Sequence, residues 1–156
     1  SSTATMLGQD QWDWLEKEFT DSKASFHIIV SSIQLLSVEH GYEAWATMPF
    51  EMNKFIDLLR SKQPANCIIL SGDRHISEFS RMQVEGLSYP LIDFTSSGLT
   101  HPWSDFPGEP NKLRVGNVIG EQSFGLLTID LNNNTVLMEM KSVKYTVQES
   151  LTQNYQ

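Results

Sequence analysis

Five consecutive residues, Ser71-Gly72-Asp73-Arg74-His75, place a carboxylate, a guanidinium and an imidazole at one point of the chain. They follow the most strand-like run in the sequence, Cys67-Ile68-Ile69-Leu70. A buried strand that ends in Gly-Asp-x-His delivers Asp73 and His75 to the carboxyl end of a sheet, where open α/β sheets place their ligands. Carboxylate and imidazole together are hard and borderline donors, suited to Ca²⁺, Mg²⁺, Mn²⁺, Fe or Zn²⁺. Gly72 is expected to let the backbone turn sharply and pass close to an ion or a phosphate. The plainer alternative is an Asp that caps a turn and a His hydrogen-bonded nearby, since two ligands alone rarely make a site.

Other residues could join this chemistry. Arg74 could clamp an oxyanion bidentately, or be a solvent-facing charge. Ser31, Ser32 and Gln34 follow another apolar run; Gln34 could hydrogen-bond a substrate oxygen, or these could be the polar end of a strand. Thr95-Ser96-Ser97-Gly98-Leu99-Thr100-His101 is a third polar strand exit, whose hydroxyls and His101 could line a pocket or simply make turns. His27 lies inside an apolar run and reads as a structural core histidine, whereas His40 carries no clear signal. Trp45 and Trp103 sit in loops and could border a cleft. No Gly-x-Ser-x-Gly elbow, Walker loop or dinucleotide fingerprint is present.

The elements that must position these groups follow from periodicity. Asp10-Gln11-Trp12-Asp13 opens like a capped helix, with Asp10 accepting from the first-turn amides and Trp12, Leu15 and Phe19 on one face. Phe26 to Val30 reads as a strand buried on both faces. Residues 36–47 read as a loop. Pro49 suits a first helical turn, Met52, Phe55, Ile56 and Leu59 form an apolar stripe, and Pro64 stops that helix. Ile76 to Val84 and Tyr89 to Thr95 read as strands joined at Glu85-Gly86. Thr95 to Pro110 reads as a long loop. Phe124 to Leu131, Asn132-Asn133-Asn134 and Thr135 to Val143 make a strong β-hairpin signal. The tail from Ser150 is polar and is expected to fray. The order suggests an α/β fold with a mixed sheet and a C-terminal β-hairpin.

The 156 residues suit one domain or part of one, and 40% apolar against 19% charged residues marks a globular chain. A net charge of −8 argues against a nucleic-acid or anionic-membrane surface. The single Cys67 excludes an internal disulfide framework and reads as a buried, inert thiol. No apolar run has the length of a membrane span. Ser1 to Thr5 lack the basic start and apolar core of a signal peptide.

Several segments together resemble one family. Met6-Leu7-Gly8-Gln9-Asp10-Gln11-Trp12-Asp13-Trp14-Leu15-Glu16 is similar to the L-G-x-x-Q-x-x-W-L opening of PhoD-like alkaline phosphatases, within the calcineurin-like metallophosphoesterases. Ile68 to Glu78 is similar to their L-S-G-D-x-H-x-x-E segment. Glu43-x-Trp45 with Met48-Pro49, and Thr95 to His101, match in the same order, so the resemblance covers about residues 6 to 140.

The resemblance implies a four-layer α/β/β/α sandwich with a two-metal site at strand ends, of which residues 1–149 would be the C-terminal half and 150–156 a polar tail. It implies phosphate-ester hydrolysis by metal-activated water, as a phosphatase or phosphodiesterase, with Asp73 and His75 as a metal-binding pair. Arg74, Gln34 and His101 are the expected substrate-side residues. Ca with Fe is the implied metal pair, with Mg, Mn or Zn as alternatives, and the implied setting is periplasmic, extracellular or secretory. The family's first ligands lie in an N-terminal half that these residues do not include. The isolated chain is therefore expected to be inactive and to need that complementary half, in the same or a separate chain, or failing that a homodimer. The alternative is a non-catalytic remnant or binding module that needs a partner chain.

Overall fold

The computed structural model describes residues 5–155; the expectations for Ser1 to Ala4 and for Gln156 lie outside them. Helix α1 (Gln9–Asp21) leads to strand β1 (His27–Ser31). A short 3₁₀ turn (Trp45–Thr47) precedes helix α2 (Pro49–Lys62), which leads to β2 (Cys67–Ser71). Then come β3 (Ser77–Met82), β4 (Leu91–Ser96), β5 (Arg114–Ile119), β6 (Ser123–Asp130), β7 (Thr135–Ser142) and β8 (Val147–Asn154). A five-stranded mixed sheet has the order β1-β2-β4-β3-β5, and a three-stranded antiparallel sheet the order β6-β7-β8. Strands β1, β2 and β4 run parallel, so Ser31, Ser71 and Thr95 leave the sheet at one edge.

Each helix is closed by local chemistry. Pro49 opens α2, where its missing N–H removes no helical bond, and Gln63 ends it in the left-handed conformation at φ 51°. Gly8, at φ 73°, caps α1; Asp10 lies within the first turn and makes no capping bond, contrary to the sequence reading. The α1 entry is held instead by the buried carboxylate of Glu51 on α2. It accepts from Met6 N, Leu7 N, Thr5 Oγ1 and the Trp12 indole. Trp12 then meets Trp45 edge to face, and Trp45 packs at a tilt on Phe55, beside Ile29.

The second sheet packs on the opposite face, where the Phe94 ring lies so near Gly125 that a Cβ there would sit 2.8 Å from it. The hairpin was legible almost to the residue; Asp130 closes its turn by accepting from the backbone of Asn132 and Asn133. Three expectations need correction. Strand β1 is an edge strand with alternating burial rather than a strand covered on both faces, and Val30 is 78% exposed. Strand β5 occupies part of the chain that carried no assignment. The polar tail from Ser150 does not fray: it lies in β8, paired along β7 from Thr135 to Lys141 and anchored by buried Leu151 and Tyr155.

Candidate active site

The carboxyl ends of β1, β2 and β4 open onto a cleft of about 320 Å³ between the two sheets, rimmed by Ser31, Ser32, Gly72 and Ser96 and floored by Leu70 and Phe94. Asp73 and His75 stand exposed beside it on the turn that leaves β2. The backbone turn is made at these residues and not at Gly72. Arg74 N donates to Gly72 O at 2.9 Å across Asp73, a γ-turn of the rare positive-φ kind with Asp73 at φ 70°. His75 follows at φ 58°. Left-handed non-glycine residues cost of order 1–3 kcal/mol each, least for Asp, and persist only where surrounding contacts hold them. Here His75 N donates to Ser97 Oγ, and His75 O accepts from Trp103 N at 2.7 Å. Both contacts reach into the loop that carries His101, whose ring lies 6.2 Å from that of His75, centroid to centroid.

Arg74 faces the other way. Its side chain is 3% exposed, and one terminal nitrogen reaches both oxygens of Glu109 at 2.8 and 2.9 Å. The guanidinium also stacks on the Tyr42 ring at 4.5 Å. Gln34 is equally buried, donating to Glu78 and to Thr95 Oγ1. Neither side chain therefore points into the cleft as an oxyanion clamp would; both lie beneath the turn. Glu78, the last residue of the L-S-G-D-x-H-x-x-E segment, completes this polar layer with Glu109 and Arg114, which no sequence signal singled out.

Asp93 lies deeper, fully buried on β4. It accepts from Leu35 N, Leu36 N and Ser71 Oγ, and so fixes the loop after β1 to the sheet. Burial pushes its carboxyl above the usual range, against the pull of these bonds. His40 accepts from Tyr42 N through Nδ1, while its Nε2 is buried without a partner. Burial, then the Arg74 charge, lowers its pKa.

The remaining candidates are structural. His27 bonds Ala65 O and Ser22 Oγ through its two ring nitrogens. Trp45 is largely buried, donates to Ser31 Oγ and lines a cavity on the helix side of β1 with Ile29 and Phe55. Burial raises the Cys67 thiol to about 11, consistent with an inert core residue. The donor types at the exit suit a hard or borderline cation. Among the described residues, however, no group of three or more His, Cys, Asp or Glu is placed to hold a metal ion. Asp73 and His75, with the His101 ring near that of His75, would supply only part of a coordination shell.

Comparison with known proteins covers this whole region. The family profile described as PhoD-like phosphatase matches residues 1–137. Alkaline phosphatase D of Bacillus subtilis (strain 168) is 27% identical over 89 residues, which is 52% of this chain and 15% of that protein. The solved structure described as "Structure of PhoD" superposes with a TM-score of 0.74 over 98% of this chain at 17% identity, so it shares the fold. The chain spans 33% of that structure's length. The match runs through both helices, the whole five-stranded sheet, the Gly-Asp-x-His turn and strand β6, and on that extent the chain belongs to the PhoD-like phosphatase family.

Proposed function

We propose that this chain is part of a metal-dependent phosphatase or phosphodiesterase that hydrolyses phosphate esters with metal-activated water. The observation that carries the reading is the pairing of the His75 and His101 rings at 6.2 Å, next to Asp73 on the turn that leaves the parallel strand β2, in a chain of a phosphatase family. A metal pair there, Ca with Fe or another divalent set, would neutralise phosphate charge and activate water. Asp73 and His75 would hold one side of it, and His101 would orient a phosphate oxygen. Ser31, Ser32 and Ser96 offer hydroxyls along the cleft rim. Gln34 and Arg74 act from below by holding the turn.

The two sheets with helices against one face would be part of a four-layer sandwich. The other layers, and the missing ligands, would come from regions homologous to the remaining length of the relatives. A complementary region, in the same or a separate chain, is the partner that this reading requires; a homodimer is the alternative. For the chain by itself a second reading, a binding module without turnover, is favoured by the incomplete donor set among the described residues.

The test is reconstitution. The 156-residue chain alone should hydrolyse an aryl phosphate mono- or diester at background rates and bind divalent metal weakly, since affinity follows ligand count. Adding the complementary region should restore turnover, and His75→Ala should then lower it by about two orders of magnitude or more. Tight binding of two ions by the chain alone, or a fully active His75→Ala enzyme, would overturn the assignment.

A further inference from the structure

The polar layer beneath the turn closes into a ring. Arg74 holds the Glu109 carboxylate. The Glu109 carbonyl accepts from Arg114 NH1 at 2.9 Å. Arg114 Nε donates to Glu78 Oε2 at 2.7 Å. Glu78 Oε1 accepts from Gln34 Nε2 at 2.7 Å, and Gln34 Oε1 lies 3.4 Å from Arg74 NH1. Positive and negative side chains balance, and the members come from the loop after β1, the turn after β2, strand β3, the 97–113 loop and strand β5. The turn that carries Asp73 and His75 and the loop that carries His101 are thus tied through the ring by Arg74 and Glu109, through backbone by His75 O and Trp103 N, and through His75 N and Ser97 Oγ. Tyr42 adds a further tie, since its ring touches both the Arg74 guanidinium and the indole of Trp103 at 6.0 Å.

We infer that Arg74 and Glu109 are positioning residues: their buried pair locks the left-handed Asp73–His75 turn to the 97–113 loop, so that the two imidazoles are presented together. Stability alone is a poor account of such a ring. A buried ion pair contributes little net stability against an apolar replacement of the same volume, whereas its directionality fixes one arrangement of the segments that it joins. The location supports the same conclusion, because the ring sits directly under two residues whose backbone must be held in the left-handed region. The inference deepens the phosphatase reading and rests on it for the use to which the imidazoles are put; the lock itself does not.

Hydrogen exchange by NMR on the 156-residue chain separates the two. In Arg74→Met and in Glu109→Gln, exchange of the Trp103 amide, which donates to His75 O, should quicken by about tenfold or more while the Ile69 amide in β2 stays within about twofold of wild type. Arg74→Lys, which keeps the charge and loses the planar fork, should fall between. Glu109→Gln keeps the side-chain shape at the more accessible partner, so it tests the lock if Arg74→Met does not fold. Unchanged Trp103 exchange, or equal loss of protection at Trp103 and Ile69, would overturn the lock. Titration with Zn²⁺ reads the dependent part: the His75 and His101 ring signals should respond together in wild type and apart in Glu109→Gln. No response of either ring in any variant would remove the metal reading and leave the exchange result to decide the lock.

Discussion

The β1 edge of the five-stranded sheet and its β4–β3 centre are built from similar residues and end in opposite environments. One row crosses the sheet from Val30 through Leu70 and Phe94 to Phe79 in register. Phe79 and Phe94 are fully buried under the second sheet, Leu70 is half-buried in the cleft, and Val30 is 78% exposed. The next apolar position along β1, Ile28, is also exposed, while its neighbours Ile68 and Ile92 are buried. On the helix side the same strand is covered, with Ile29 beside Trp45 and Phe55. The difference teaches that β1 carries the residues of a strand covered on both faces, and that the described residues cover it on one. Apolar area left in water forfeits roughly 25 cal/mol per Å², so this edge holds unused binding energy.

The contrast can first be broken at its covered end. Phe94 packs its ring on Phe79 at 4.6 Å and against Gly125 of the second sheet. Phe94→Ala should destabilise the chain by about 3–5 kcal/mol, the cost of the lost burial plus the cavity. Urea unfolding measures it. A loss of about 1 kcal/mol or less would mean that the second sheet is not seated on β4 as described.

The helix side sharpens the comparison by a smaller effect. Glu51 is 1% exposed and satisfies donors from Thr5, Met6, Leu7 and Trp12. Burial pushes its carboxyl up, but the bonds from Leu7, Trp12, Met6 and Thr5 outweigh it, and the net pKa lies below the ordinary value of 4.5. A depressed carboxylate stabilises the fold above its unfolded pKa, and that contribution is lost as pH falls below 4.5 through the folded value. Glu51→Gln should cost about 1–3 kcal/mol at neutral pH, because charged acceptors make the stronger bonds. Thermal unfolding of both proteins from pH 7 downward should show the gap closing below about pH 4.5. A gap that stays constant would mean that the carboxylate charge is not what holds the α1 entry.

How far these features could be read in advance depended on how local they are. Strand β2 and the β6–β7 hairpin show themselves as uninterrupted apolar runs and as an Asn-rich turn; α2 shows its stripe, its opening proline and its stop. Strand β8 hides because its inward positions include Glu149, which accepts from Asn117 on β5, and only Leu151 and Tyr155 anchor it with apolar bulk. Strand β5 hides because Gly116, at φ 75°, interrupts it and its pairing with β3 shifts register. At the site, Asp73, His75 and His101 are legible as strand exits. The inward turn of Arg74 is not, since its partners Gln34 and Glu109 lie 40 and 35 residues away and nothing in a single sequence pairs them. The same holds for β1: composition sets what the strand can bury, and only the fold shows which face has a neighbour.

The smallest expected effect on stability is at Val30, and it carries the most information about assembly. A side chain 78% exposed has little burial to lose, so Val30→Lys should change the chain's unfolding free energy by less than about 0.5 kcal/mol. A lysine on an edge strand also discourages pairing with another chain. The variant should therefore be more monodisperse than wild type by light scattering and bind less of an apolar dye. If a complementary region covers this face, the same substitution buries a charge against apolar Leu70 and Leu127 across the cleft, and reconstitution with that region should weaken by about tenfold or more. A Val30→Lys chain that unfolds about 2 kcal/mol more easily by itself would show that β1 is already covered within these residues, and the difference between the edge and the centre of the sheet would disappear.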